Sequence, residues 1–331
     1  MATLAATNGA DSRQKTVIIT CNKGGVGKST TVAQIADNCA RFGLRVLVID
    51  VDSNASLSAL LGTVAAPDEP SILEALEGSA PIGAAITEPE GWQPDEDREW
   101  LCGGPLLPGG VVHAVLGSNS DEVAEATNKA GSGPENALRR ALSEFEGAEE
   151  YDLILIDVPR TDGPPLYLAL NASGNALFPM ETEGLSFDPV FKTIDKVARY
   201  SRDTGNSMNA VGVVAAKHNP HRVEHRECLA DVRTKLAESF NGAITMLDPP
   251  VQVRAVVADS ATLQQPVSRQ VTPGGKNSEV SACYTGIALA TAAAILPEDR
   301  LEKIFGAIDN ADLPEHVADT IYAGLTSPAE K

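Results

Sequence analysis

The sequence predicts an α/β fold: a single doubly wound, mainly parallel sheet with helices on both faces. Three observations predict it. Short continuous apolar runs, the mark of strands buried on both faces, alternate with helical patterns along most of the chain. The first of these runs opens into a glycine-rich loop that leads directly into a helix. Two later runs end in aspartate, at Asp50 and Asp157. Carboxylates that leave the C-terminal end of a parallel strand point at the crevice where open α/β sheets bind ligands.

Residues 1–14 read as a flexible tail, small and polar, without the basic start and apolar run of a secretory signal. A strand over 17–20 delivers the chain into Cys21-Asn22-Lys23-Gly24-Gly25-Val26-Gly27-Lys28-Ser29-Thr30. Glycines there let backbone amides approach phosphate oxygens without Cβ obstruction. The helix that begins at Ser29 offers the positive end of its dipole. Lys28 adds a full charge, and the Ser29 hydroxyl can take a place on Mg²⁺. The glycine that the general phosphate-loop pattern places five positions before Gly27 is Asn22, and a second lysine, Lys23, stands beside it. The helix runs to about Phe42 and is ended by Gly43 at a C-cap position. The buried strand over 46–50 ends in Asp50-Val51-Asp52, two acids that either face the crevice or cap a helix over 55–61.

Ser71 and Glu74 have the spacing of a capping box for a short helix reaching Glu77. Residues 88–101 read as an acidic surface loop, with Trp92 and Trp100 packed locally. Residues 111–116 form a strand in which His113 is an ordinary member. Ala137, Leu138, Leu142 and Phe145 fall on one side of an amphipathic helix over 134–146. The strand over 153–157 ends in Asp157, which faces the phosphate loop and is placed to hold Mg²⁺ through water, with Pro159 stiffening the turn. Buried strands over 176–180 and 211–216 flank a helix over 189–202. After Asn219-Pro220 comes a helix with Arg222, Arg226, Arg233 and Lys235 on a solvated face. A short strand over 243–247, a mobile loop over 269–279 and an alanine-rich helix over 280–296 follow. Residues 297–331 form a C-terminal extension of two short amphipathic helices packed on the body.

The chain has 331 residues and a net charge of −19. That charge repels nucleic acid and anionic lipid on average. Its distribution is uneven: residues 64–152 hold 19 acidic side chains against 4 basic ones, whereas 185–280 hold 12 basic against 10 acidic and leave room for a local basic patch. The five cysteines have no paired spacing, so neither a disulfide framework nor a zinc site is indicated. No apolar run approaches the roughly 18 residues of a membrane span, so a cytoplasmic location is expected.

On the loop with Lys23, on Asp50-Val51-Asp52-Ser53-Asn54 and on Asp157-Val158-Pro159-Arg160, residues 15–296 resemble the ParA/MinD family of deviant Walker-type P-loop ATPases. Within it they are most similar to ParA-type partition ATPases that lack an N-terminal helix-turn-helix domain. Departures stand at Ser53 and Asn54, where relatives usually read Pro-Gln, and at Arg160, where they read a second proline. The resemblance implies an ATP hydrolase of weak intrinsic activity that uses ATP and Mg²⁺ and forms a nucleotide-dependent homodimer. Lys23, Gly24, Gly25, Val26, Gly27, Lys28, Ser29 and Thr30 would bind the phosphates, and Lys23 would reach the partner's nucleotide. Asp52 would position the attacking water, with Ser29, Asp50 and Asp157 in the metal shell. Asn219 and Pro220 would contact the base, and Arg254 would contact DNA. The implied function is segregation of plasmid or chromosome DNA: the dimer binds nonspecific DNA at the nucleoid and is released when a ParB-like or other cargo-bound activator protein stimulates hydrolysis. The alternative is a positioning scaffold or regulator whose switch acts on a protein surface. Membrane attachment is not expected, since the C-terminus lacks a basic amphipathic helix. An iron–sulfur reductase would need a second cluster cysteine beside Cys102.

Overall fold

The computed structural model describes residues 12–325 apart from 53, 64–69, 118–119, 130–132, 161–162, 184–187, 273, 276 and 324. The apolar runs become β1 (Thr16–Ile19), β2 (Arg45–Asp50), β4 (Val111–Val115), β5 (Leu153–Asp157), β6 (Asn175–Glu181), β7 (Asn209–Ala216) and β8 (Met246–Leu247), with β3 (Ile86–Thr87) at one edge. They form one sheet in the order β3-β4-β2-β5-β1-β6-β7-β8, parallel throughout except for the β3–β4 pair. Alternation along each strand divides the core in two. Val17 and Ile19 of β1 face one side, and Ile18 faces the other.

The first side is covered by α1 (Lys28–Arg41), α2 (Ser56–Leu61), α9 (Ala255–Leu263), α10 (Ser278–Ala293), α11 (Glu298–Asp309) and α12 (Glu315–Ala323). The second carries α3 (Ile72–Glu77), α4 (Ser120–Lys129), α5 (Ala137–Ser143), α6 (Pro164–Ala172), α7 (Asp188–Thr204) and α8 (Val223–Phe240). From β1 the chain crosses through α1 to β2, stepping over β5. From β5 it crosses through α6 to β6 on the opposite face, stepping over β1. The two central strands thus send their connections in opposite directions, which opens a crevice at their C-terminal ends.

Several elements differ from expectation. Helices α4 and α6 and strand β3 have no counterpart in the sequence reading. Helix α6 buries Leu166, Leu168, Ala169 and Leu170, and a helix apolar on most sides carries no amphipathic period. The acidic stretch over 88–101 is partly internal. Trp92 is fully buried, and the Gln93 amide pairs with the Val112 backbone in both directions, at 2.7 and 3.0 Å. Of the expected tail, residues 1–11 lie outside the described residues. Ser12–Lys15 form a 3-10 turn in which the Arg13 guanidinium donates to Ser173 O at 3.0 Å. The segment expected as a mobile loop is pinned at its start, where Val267 N donates to Gln34 Oε1 at 3.1 Å and Arg269 donates to Gln93 O.

The capping box forms as read, with Ser71 and Glu74 bonded reciprocally. The C-terminal extension packs on the body through Ile304, Ile308, Val317 and Ile321. Its last helix crosses α10 at Gly286, where a Cβ would lie 2.8 Å from Ile321 O, so only glycine admits the crossing.

A buried ion pair ties α1 to two later segments. Arg41 Nε lies 3.2 Å from Asp37 Oδ2, with both side chains essentially inaccessible. Ser268 Oγ donates to the same carboxylate at 2.9 Å, and Arg41 also donates to Trp100 O and Asn38 Oδ1. Burial pushes the Asp37 carboxyl up and the Arg41 guanidinium down, and each is opposed by the partner's charge. Removing one member leaves an uncompensated charge in the core. Arg41→Ala is therefore expected to cost about 3–5 kcal/mol in urea unfolding, and the apolar double replacement Asp37→Leu/Arg41→Met clearly less. A single variant within about 1 kcal/mol of wild type would show that the pair holds nothing together.

Candidate nucleotide site

β1 hands the chain to a loop held by its neighbours, with Thr20 N donating to Leu177 O at 3.0 Å. Gly25 and Gly27 then take φ of 77° and 86°, a left-handed backbone that an L side chain resists. Gly27 is the N-cap of α1, and no side chain caps that end, so the first-turn amides are left for a ligand. Lys28 follows at once and is 7% exposed.

Two cavities meet over this loop. One, of about 450 Å³, is walled by Gly24, Gly25, Gly27, Lys28, Ser29 and Thr30 and, across from them, by Asp52, Asn54 and Arg160. The other, of about 490 Å³, is more apolar and is lined by Asn219, His225, Val251, Val253, Arg254 and Val257. Gly27, Thr30, Lys217 and Ala261 belong to both. A charged chamber that continues into an apolar one suits a molecule with phosphates at one end and an aromatic base at the other.

Beneath the loop, Asp50 and Asp157 are direct neighbours in register on β2 and β5. Asp157 is wholly inaccessible, and neither carboxylate oxygen is in a hydrogen bond of ordinary geometry. Burial, together with the charge of Asp50, raises it well above the carboxylate range, against the pull of Ser29 and Lys28. Burial likewise lifts Asp50 to about 6. Asp50 has used its oxygens: Oδ1 accepts from Asp52 N at 3.0 Å, and Oδ2 accepts from Ser58 N at 2.9 Å and Ser58 Oγ at 2.8 Å. Of the two readings open for this pair, Asp50 caps the first turn of α2. Asp52 stays on the cavity wall, accepting from Asn54 N at 3.0 Å and Asn54 Nδ2 at 3.1 Å.

Among the described residues no group of three or more His, Cys, Asp or Glu side chains could cage a metal ion. Mg²⁺ does not require one, because it keeps most of its waters and takes one or two carboxylates plus substrate phosphates. The orphaned Asp157 carboxylate and the Ser29 hydroxyl fit an ion that arrives with a nucleotide.

Lys23 lies away from the phosphate chamber. Its Nζ is 2.9 Å from Glu181 Oε2, and Lys217 Nζ is 2.7 Å from Glu181 Oε1 while also donating to Gly25 O. Burial works against the Glu181 carboxylate, but the two ammonium groups outweigh it and hold it below its ordinary range. Val26 is buried beside Cys21 and Lys23, so it offers the site backbone only. Asn219 lines the apolar chamber, with its Oδ1 taken by His221 N at 3.0 Å. Pro220 is not among the residues lining either chamber, and its carbonyl accepts from Arg226 Nη1 at 2.6 Å. Arg254, matched in sequence to a DNA contact, lines the apolar chamber with its Nε buried and unpartnered. Sequence reading missed Lys217 and the position of Arg160. A lysine that ends a buried strand, and an arginine in place of a turn proline, were the available signals.

Residues 14–209 match the family model AAA_31, an AAA domain. The chain is similar to the chromosome-partitioning ATPase Soj of Thermus thermophilus, 24% identical over 227 residues that cover 69% of this chain and 79% of Soj. It is 28% identical over 198 residues to the maintenance of carboxysome distribution protein A of Synechococcus elongatus, covering 59% and 70% of the two chains. Cobyrinic acid a,c-diamide synthase from Mycobacterium smegmatis, solved with bound ADP and magnesium, superposes with a TM-score of 0.59 at 23% identity over 77% of this chain and 91% of the synthase. That likeness shows a shared P-loop NTPase-like α/β fold. No helix among the described residues is long and apolar enough to cross a membrane.

The unmet Asp157 carboxylate sets stability against ligand binding. Asp157→Asn keeps the size of the buried side chain but cannot ionise, so the thermal midpoint of the ligand-free protein is expected to hold or rise slightly, while the further rise on adding Mg²⁺ and ATP disappears. A variant that melts lower alone yet keeps the Mg²⁺–ATP increment would count against Asp157 as a cation ligand.

Proposed function

Since the chain belongs to the ParA/MinD family of ATPases through its AAA_31 domain, we propose that it hydrolyses ATP as a partition or positioning switch. One observation carries this reading: a fully buried, orphaned Asp157 carboxylate beneath a left-handed glycine loop, with Lys28 and Ser29 beside it. Burial holds that carboxyl against ionisation in the ligand-free chain, and a cation arriving with a nucleotide would favour its ionised form.

In this reading the backbone amides from Gly24 to Thr30 and the Lys28 ammonium hold the phosphates, and the base enters the apolar chamber at Asn219. Ser29 and Asp157 hold Mg²⁺, which when bound draws charge from the phosphate oxygens. Asp50 serves the metal indirectly, because its oxygens fix the Asp52 amide and the start of α2. Asp52, on the wall of the phosphate chamber, orients the attacking water. Lys23 leaves Glu181 and reaches the nucleotide of a second copy, so the homodimer forms only with ATP. Support for that step is energetic: the pair is partly exposed, and such pairs contribute about 0–1 kcal/mol.

The ATP dimer then binds nonspecific DNA in the cytoplasm at the nucleoid, and hydrolysis stimulated by a ParB-like, cargo-bound activator releases it. The relative described as a chromosome-partitioning ATPase supports this. The charge of −19, concentrated in residues 64–152, favours a second reading in which the switch acts on a protein assembly.

Two measurements test the proposal. Lys28→Ala and Lys23→Ala are expected to abolish turnover, whereas Asp52→Ala keeps ATP bound and the dimer trapped; rapid hydrolysis by the last variant removes Asp52 from the mechanism. Binding to arbitrary duplex DNA, followed at several salt concentrations, is expected with ATP and not with ADP, with log affinity falling linearly with log salt. An ATP dimer that ignores DNA at low salt leaves the protein-surface reading.

A further inference from the structure

Arg160 stands where the family pattern places a turn proline, and its position is informative. It directly follows Pro159 at the end of β5 and turns back over the phosphate loop. A Cβ on Gly24 would lie 3.1 Å from Arg160 Nη1 and 3.2 Å from its Cδ, so the side chain rests close against the loop backbone at Gly24. It lines the charged chamber with Lys28 and Asp52. Among the described residues Arg160 makes no ion pair, whereas Lys23 and Lys217 are both committed to Glu181.

The two chambers fix which part of a nucleotide it faces. Asn219, Val251 and Arg254 line only the apolar chamber, while Asp52, Asn54 and Arg160 line only the charged one. A nucleotide with its base in the first has its terminal phosphate at the Asp52–Arg160 end. A guanidinium there presents a planar fork of donors that matches two phosphate oxygens at once. From this geometry we infer that Arg160 binds the terminal phosphate of ATP within its own subunit and is the residue by which this chain distinguishes ATP from ADP.

The inference rests on the nucleotide reading above and assigns one group to it. A single chain thereby carries two cations for the phosphates, Lys28 and Arg160, before a second copy brings its Lys23. Arg160 is exposed and outside the core, so its replacement leaves the fold intact, which an unchanged thermal midpoint verifies. The test compares affinities for a non-hydrolysable ATP analogue and for ADP, both with Mg²⁺, in wild type, Arg160→Ala, Arg160→Lys and Arg160→Pro. In the Ala and Pro variants analogue affinity is expected to fall about tenfold or more, with ADP affinity unchanged within about twofold. Lysine restores part of the loss, as a point charge without the fork. An Ala variant that keeps the wild-type ratio of the two affinities, or loses both equally, overturns the role of Arg160 alone. Wild-type protein that binds neither nucleotide overturns the nucleotide reading and this inference with it.

Discussion

The constraint on which the rest depends is the pair of carboxyl groups buried at the C-terminal ends of β2 and β5. Asp50 and Asp157 sit side by side in register, and both are shut away from water. Asp50 is satisfied by the Asp52 amide and by Ser58, but Asp157 has only the Lys28 charge and the Ser29 hydroxyl in its favour. Burying a carboxylate without full hydrogen bonding costs several kcal/mol, so an arrangement like this persists where a cation supplies what the chain lacks. The topology makes the arrangement possible. β5 and β1 are adjacent at the centre of the sheet, and their connections leave toward opposite faces. The glycine loop and the aspartate therefore share one crevice without crossing chains.

A third carboxylate, Glu181, manages the loop's spare lysine. It is bonded by Lys23 on one oxygen and by Lys217 on the other. Lys217 holds a left-handed backbone with φ of 53°, a conformation that costs a side-chain-bearing residue roughly 1–2 kcal/mol. The strain is offset by its position: the same ammonium donates to Gly25 O and pairs with Glu181, tying the end of β7 to the glycine loop. Because Lys217 remains, departure of Lys23 does not strand a carboxylate. Lys23 is thus held only by this partly exposed pair, whereas Lys217 also bonds the loop backbone at Gly25.

What could be read from the sequence was what is encoded locally. Buried strands appear as apolar runs, the glycine loop as adjacent letters, and the two aspartates as the ends of runs. Helix α6 was missed because its apolar residues surround it, and β3 because two residues at an edge carry no period. The interior place of Trp92 depends on Gln93 pairing with Val112, nineteen positions away. The same limit applied at the site. The capping role of Asp50 depends on Ser58, the anchoring of Lys217 on Glu181 thirty-six positions earlier, and the position of Arg160 on its approach to the loop at Gly24. Each is a pairing between distant segments, and no residue alone announces it.

The same distinction bears on how this acidic chain meets its cargo. The alanine-rich helix near the C-terminus has no lysine or arginine, and in sequence that absence weighs against DNA contact late in the chain. In the fold, α10 is buried from Val280 to Ala292 because it packs between α1 and α12. A helix enclosed in that way excludes unpaired cations by desolvation, whatever the protein binds. Its composition therefore reports packing and carries no information about a surface. Arg254, the position matched to a DNA contact, lines the apolar chamber. The exposed cations Lys192, Arg199 and Arg202 of α7, with Arg226 and Arg233 of α8, lie on the opposite side of the sheet. Arg233 is paired with Asp248 there, which reduces what it can offer a phosphate. The choice between DNA and a protein surface is therefore not to be read from the buried α10; the α7–α8 side carries exposed charge of both signs.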